Sequence, residues 1–110
     1  MEAKQREVRY YLTADGVAPF ERWFFGLRDV NARAKVLTRI ARAGFGNFGD
    51  HAAVGEGVCE LRIDFGPGYR VYYGIDGDEI VMLGGGDKST QAGDIEAAKV
   101  RWRDYKESDA

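Results

Sequence analysis

Between Val58 and Leu83 the chain has three strand-length runs separated by two turn signals, and this stretch limits the fold more than any other. Val58–Phe65 runs into Gly66-Pro67-Gly68, Tyr69–Ile75 runs into Asp76-Gly77-Asp78, and Glu79–Leu83 follows. Gly and Pro supply the backbone conformations of tight turns, and strands joined by so few residues can only lie antiparallel. An antiparallel meander is expected. Because side chains alternate across a strand, Cys59, Leu61, Ile63 and Phe65 share one face and Glu60, Arg62 and Asp64 the other. A three-residue Gly66-Pro67-Gly68 loop would set Phe65 opposite Tyr69, Asp64 opposite Arg70 and Arg62 opposite Tyr72. A two-residue Gly77-Asp78 turn would then set Ile75 opposite Ile80 and Arg70 opposite Gly85, with Lys88 just past that strand end. Arg62, Arg70 and Lys88 converge at one edge of a face that this register leaves open. Val81 and Leu83 lie on the same face, and apolar residues beside cations suggest a docking surface. A plainer reading pairs Glu60 and Asp64 with Arg62 and Arg70 as solvated ion pairs, each contributing only about 0–1 kcal/mol.

The flanking segments complete the pattern. Val8, Tyr10 and Leu12 alternate with Arg9, Tyr11 and Thr13, as in a strand with one buried face. Pro19 suits the first turn of a helix that places Phe20, Trp23, Phe24 and Leu27 on one stripe. A second helix starts near Asn31, puts Val36, Leu37, Ile40 and Ala41 inward, and stops at Gly44. Its other face carries Arg33, Lys35, Arg39 and Arg42. Phe45 to Gly57 is Gly-rich, polar and without period, so it reads as a loop. After Gly84-Gly85-Gly86-Asp87-Lys88, Ser89 or Thr90 would cap a last helix with Ile95, Ala98, Trp102 and Tyr105 on its stripe. The order is β-α-α-β-β-β-α. This is an α+β fold with a mainly antiparallel four-stranded sheet packed on helices, and 110 residues fit a single domain over 1–110.

Composition narrows the function classes. With 45% apolar and 31% charged residues the chain is globular. No run approaches the roughly 18 apolar residues of a membrane span, and the polar N-terminus lacks the apolar stretch of a signal peptide, so a cytoplasmic location is expected. Cys59 is the only cysteine, which excludes an internal disulfide and a cysteine-based zinc cluster. A net charge of -2 argues against nucleic-acid binding, yet Arg28, Arg33, Lys35, Arg39 and Arg42 face only Asp29 within their segment, so a basic patch can exist on an acidic chain. The glycine run before Lys88 lacks the spacing of a phosphate-binding P-loop. Glu60, Asp64 and Asp87 interleave with arginines, so ion pairing is expected there rather than Mg²⁺, and no cofactor is expected.

The segments Glu60-Leu61-Arg62-Ile63-Asp64-Phe65-Gly66-Pro67-Gly68-Tyr69-Arg70-Val71-Tyr72-Tyr73 and Gly85-Gly86-Asp87-Lys88-Ser89-Thr90-Gln91, with Asp94-Ile95, resemble the HigB-like addiction-module toxins of the RelE/ParE superfamily. The likeness extends over nearly the whole chain. It implies a type II toxin–antitoxin module whose toxin causes growth arrest as a metal-independent, ribosome-dependent mRNA endoribonuclease, driving the ribose 2'-OH onto the adjacent phosphate. It also implies a cognate antitoxin, often of helix-turn-helix type, that blocks the toxin, with operator DNA reached only through that partner. By the same resemblance Arg70 matches the phosphate-stabilising arginine, Arg62 the second-strand cations, and Lys88 the polar segment after the last strand. A planar guanidinium suits the charge that builds on a phosphorane-like transition state.

Other roles stay open. Lys88 is either the general base, the acid or a phosphate clamp; Asp87 either orients Lys88, accepts a proton or is an ordinary turn residue. Tyr72 either stacks on a base or packs across the strands. Arg33, Lys35, Arg39 and Arg42 would contact ribosomal RNA phosphates. The segment after the last strand lacks the His or Tyr of the best-known nuclease members, and His51 reads as a surface loop residue. Two alternatives therefore accompany the nuclease: a ParE-like inhibitor of DNA gyrase, and an inactive toxin that serves only as co-repressor with its antitoxin.

Overall fold

The computed structural model describes residues 4–108. Strand β1 (Glu7–Tyr10) is followed by helices α1 (Pro19–Gly26) and α2 (Val30–Gly44), then β2 (His51–Gly55), β3 (Val58–Ile63), β4 (Tyr69–Asp76) and β5 (Glu79–Asp87). A single 3-10 turn over Lys88–Thr90 leads into α3 (Gln91–Ser108). The strands form one five-stranded sheet in the order β1-β5-β4-β3-β2. The fold is α+β, a sheet packed on helices, as expected. The sheet differs from the expected one by an extra strand and by being mixed, since β1 runs parallel to β5.

The extra strand lies inside the segment read as a loop. His51–Gly55 pairs antiparallel with β3 through the two-residue loop Glu56-Gly57. Both loop residues have positive φ, 55° and 84°. That is the geometry of a hairpin turn whose twist matches its strands. Periodicity missed β2 because it is an edge strand of small residues, half exposed on one face and exposed on the other.

The meander forms, with a shifted register. β3 ends at Ile63, which pairs with Tyr69, so Arg62 lies opposite Arg70 rather than Tyr72. The loop therefore spans Asp64 to Gly68, closed by Gly68 N–H donating to Phe65 O at 3.1 Å. Gly66 and Gly68 both sit at positive φ, 56° and 81°, which two of the loop's five positions require. The second turn is as expected, with Ile75 opposite Ile80. A bulge at Tyr72/Tyr73 then moves Arg70 opposite Gly86 instead of Gly85.

Both faces of the sheet are covered. One carries Leu61, Ile63, Val71, Tyr73, Ile80 and Met82 against Phe20 and Phe24 of α1 and Val36, Ile40 and Ala43 of α2. The other carries Val58, Tyr72, Val81 and Leu83 against Ala98, Trp102 and Tyr105 of α3. The face expected to be open is thus a second core, with Val81 and Leu83 fully buried. Glycines let α3 dock so closely: a Cβ at Gly86 would stand 1.9 Å from the Asp94 carboxylate, and one at Gly74 2.7 Å from the Trp102 ring. Helix α2 is capped by Asp29, which accepts from the backbone N–H of Asn31, two residues ahead of the expected start. Its inward stripe is Ala32, Val36, Ile40 and Ala43, while Leu37 and Ala41 are exposed. Just past β1, Leu12 points outward and Tyr11 is buried instead, donating from its hydroxyl to Asp104 at 2.6 Å.

Candidate functional site

At the loop end of the meander, Asp50, Arg62, Asp64, Gly68, Arg70 and Lys88 line one cleft of about 230 Å³. Each wall comes from a different element. Arg62 is on β3, Arg70 opposite it on β4, and Lys88 in the turn after β5, tied by its backbone N–H to Gly68 O at 3.0 Å. The convergence of Arg62, Arg70 and Lys88 expected from the pattern is therefore present, although the register that produces it is not the one expected.

A buried carboxylate organises the arginines. The Glu60 side chain is only 2% exposed, and its Oε2 accepts from Arg62 Nε at 2.8 Å and lies 3.8 Å from Arg70 Nε. Its other oxygen accepts from Gln91 Nε2 of α3 at 2.9 Å. Arg62 also meets Asp50 at 3.6 Å. The ion pairing expected between Glu60 and these arginines is present, but on a covered face rather than a solvated one. Arg70 is nearly buried; its Nη1 donates to Tyr69 O at 3.2 Å, while its Nε has no hydrogen-bond partner among the described residues.

Several expected site residues lie elsewhere. Tyr72 cannot stack on a base from where it is: it is fully buried under α3, and burial together with the nearby Glu60 carboxylate pushes its phenol well above the usual range. Asp87 neither orients Lys88 nor stands free. Its Oδ1 accepts from Ser89 N at 2.8 Å and from Ser89 Oγ at 2.5 Å, capping the turn. Those bonds hold its carboxyl below the ordinary range. Asp87 thus caps the 3-10 turn that leads into α3.

The basic face of α2 divides. Arg39 is spent on the fold, since its guanidinium donates to the carbonyls of Arg62, Phe48 and Asp50 and so ties α2 to the backbone of two cleft residues. Lys35 and Arg42 are exposed and, with Thr38 and Asp64, line a neighbouring groove of about 330 Å³. Arg33 is half exposed on the same helix. A larger hollow, about 560 Å³, lies between β1 and the end of α2 and gathers no such group of cations. Sequence reasoning treated Glu60 as a surface partner only. Its placement on the same side as the apolar Val58 was the available signal that it would be buried.

Among the described residues, no group of three or more His, Cys, Asp or Glu is arranged to hold a metal ion, and no helix is long and apolar enough to cross a membrane. No protein-family model matches the chain. A Haemophilus influenzae protein named only as uncharacterized is 50% identical over 82 residues, which cover 74% of this chain and 83% of that protein. The chain belongs to the family of that protein. At such identity the two share a fold, and the Haemophilus influenzae relative carries no stated activity that bears on the cleft.

Proposed function

We propose that the chain is a HigB-like toxin with a RelE/ParE-type fold, acting in a type II toxin–antitoxin module as a cytoplasmic, ribosome-dependent mRNA endoribonuclease. The observation that carries this reading is the cleft in which Arg62, Arg70 and Lys88 converge beside the buried Glu60. Three cations around a space of this size suit a phosphodiester whose negative charge grows in the transition state. Glu60 holds the guanidinium of Arg62 by one hydrogen bond and faces that of Arg70, so both are oriented before substrate arrives. Preorganised charge of this kind costs no reorganisation at the moment of reaction.

In this reading Arg70 and Arg62 hold the non-bridging phosphate oxygens while the ribose 2'-oxygen attacks phosphorus and the bond to the 5'-oxygen breaks. Lys88, in its ammonium form, supplies a proton to the departing oxygen. No metal is needed for that step. Exposed Lys35 and Arg42 contact RNA phosphates, and Arg39 does not. The cognate antitoxin, of helix-turn-helix type, silences the toxin by offering carboxylates to Arg62 and Lys88 at the mouth of the cleft, and it carries the pair to operator DNA.

The test is induced expression of the wild type and of Arg70→Ala without any antitoxin, with 5' ends mapped on translated messages. Codon-phased cuts with the wild type and none with a folded Arg70→Ala variant are expected. Growth arrest with intact messages and damaged DNA would move the protein to gyrase inhibition, and harmless expression to a co-repressor.

A further inference from the structure

Each carboxylate at the cleft has a traceable commitment except one. Glu60 is buried with both oxygens engaged, by Gln91 and Arg62. Asp87 caps Ser89, and Asp50 meets Arg62 at 3.6 Å. Asp64 is exposed and, among the described residues, makes no side-chain hydrogen bond or ion pair. It sits in the loop after β3, where it lines both the cleft of Arg62, Arg70 and Lys88 and the groove of Lys35, Thr38 and Arg42. Asp64 is thus the ridge between two cation-lined hollows.

We infer that Asp64 is the general base for 2'-OH attack, an inference that rests on the nuclease reading above. An RNA strand with its scissile phosphate in the cleft and the preceding phosphate in the α2 groove lays the ribose between them across Asp64. That ribose carries the attacking hydroxyl. The carboxylate oxygen of Asp64 takes the 2'-OH proton as the 2'-O–P bond forms. The P–O5' bond then breaks, and the leaving oxygen takes a proton from the Lys88 ammonium. The products are a 2',3'-cyclic phosphate and a 5'-hydroxyl end, and Asp64 and Lys88 return to their starting states by exchanging one proton with solvent. A carboxylate lying free of its neighbouring cations can act this way, whereas one locked to an arginine must first give up that partner.

The experiment is single-turnover cleavage of message on programmed ribosomes by wild type, Asp64→Asn, Asp64→Glu, Asp50→Asn and Arg70→Ala. Asp64→Asn should lower the maximal rate about 100- to 10,000-fold, the usual contribution of a general base, with the half-saturating ribosome concentration unchanged. Asp64→Glu should recover part of that rate. Wild-type cutting by Asp64→Asn, or a larger loss in Asp50→Asn, overturns the assignment while leaving the nuclease reading intact if Arg70→Ala is inactive. Absence of cutting by the wild type removes both.

Discussion

Replacing Glu60 by Gln is the sharpest perturbation of this fold, because one atom changes at the point where sheet, α3 and both arginines meet. The amide oxygen can still accept from Gln91, but the amide nitrogen faces the Nε–H of Arg62, donor against donor. Arg70, whose side chain is 10% exposed, loses its only ion pair among the described residues, at 3.8 Å. Breaking a buried pair by removing one partner costs about 3–5 kcal/mol, and the long separation puts Arg70 at the low end of that range. The Arg62 bond adds little, since that side chain is 41% exposed and solvent screens it. These contributions overlap on one carboxylate, so the expected loss is about 3 kcal/mol. With an unfolding entropy of about 2.1 cal/mol/K per residue, that lowers the Tm of a chain this size by roughly 13 °C. Urea titration and thermal melts of the two proteins measure it. Raising salt should leave most of the difference in place, because buried charges are poorly screened. Adding Arg70→Met to Glu60→Gln should recover part of the loss, since the uncompensated charge is then gone. A loss below about 1 kcal/mol, or one that vanishes in salt, would mean that these arginines reach water and that Glu60 does not organise the cleft.

Other outcomes follow from the same contacts. Arg39→Leu removes three carbonyl contacts and should cost about 1–3 kcal/mol while amide exchange at Asp50 and Arg62 speeds up; unchanged exchange there would deny Arg39 its structural role. Gly86→Ala drives a methyl into the Asp94 carboxylate and should cost about 1–3 kcal/mol, most of it relieved by adding Asp94→Ala; strict additivity in that double-mutant cycle would refute the contact. The Asp87 carboxyl is held below its unfolded-state range by the Ser89 bonds, so its stabilisation is present above the unfolded pKa near 3.9 and lost as pH falls through the folded one. The Tm gap between wild type and Asp87→Ala should therefore be open at neutral pH and close below about pH 4; a gap constant across that window would contradict the capping role. The Tyr72 phenol is held protonated by burial, and ultraviolet titration should find it un-ionised at alkaline pH until the fold opens, whereas ionisation with the fold intact would contradict its burial.

What could be read from the chain alone was local. Gly66-Pro67-Gly68 and Gly77-Asp78 announce antiparallel hairpins, Pro19 and the aromatic stripe after it announce α1, and Ala98, Trp102 and Tyr105 announce the inward face of α3, because turn conformations and side-chain periods are set by neighbouring residues. The cations Arg62, Arg70 and Lys88 could be brought together for the same reason. What only the tertiary structure decided is everything that depends on distant partners. The parallel pairing of β1 with β5 joins segments far apart in the chain, whereas the edge strand His51–Gly55 and the two-residue shift between β3 and β4 arise in hairpins whose register the side-chain period alone does not fix. The docking of α3 converts an apparently open face into a core, burying Tyr72, Val81 and Leu83 and taking Glu60 out of water. Periodicity tells which residues share a face, but burial is settled by what covers that face, and here the covering helix approaches closely because Gly74, Gly84 and Gly86 have no side chains in its way.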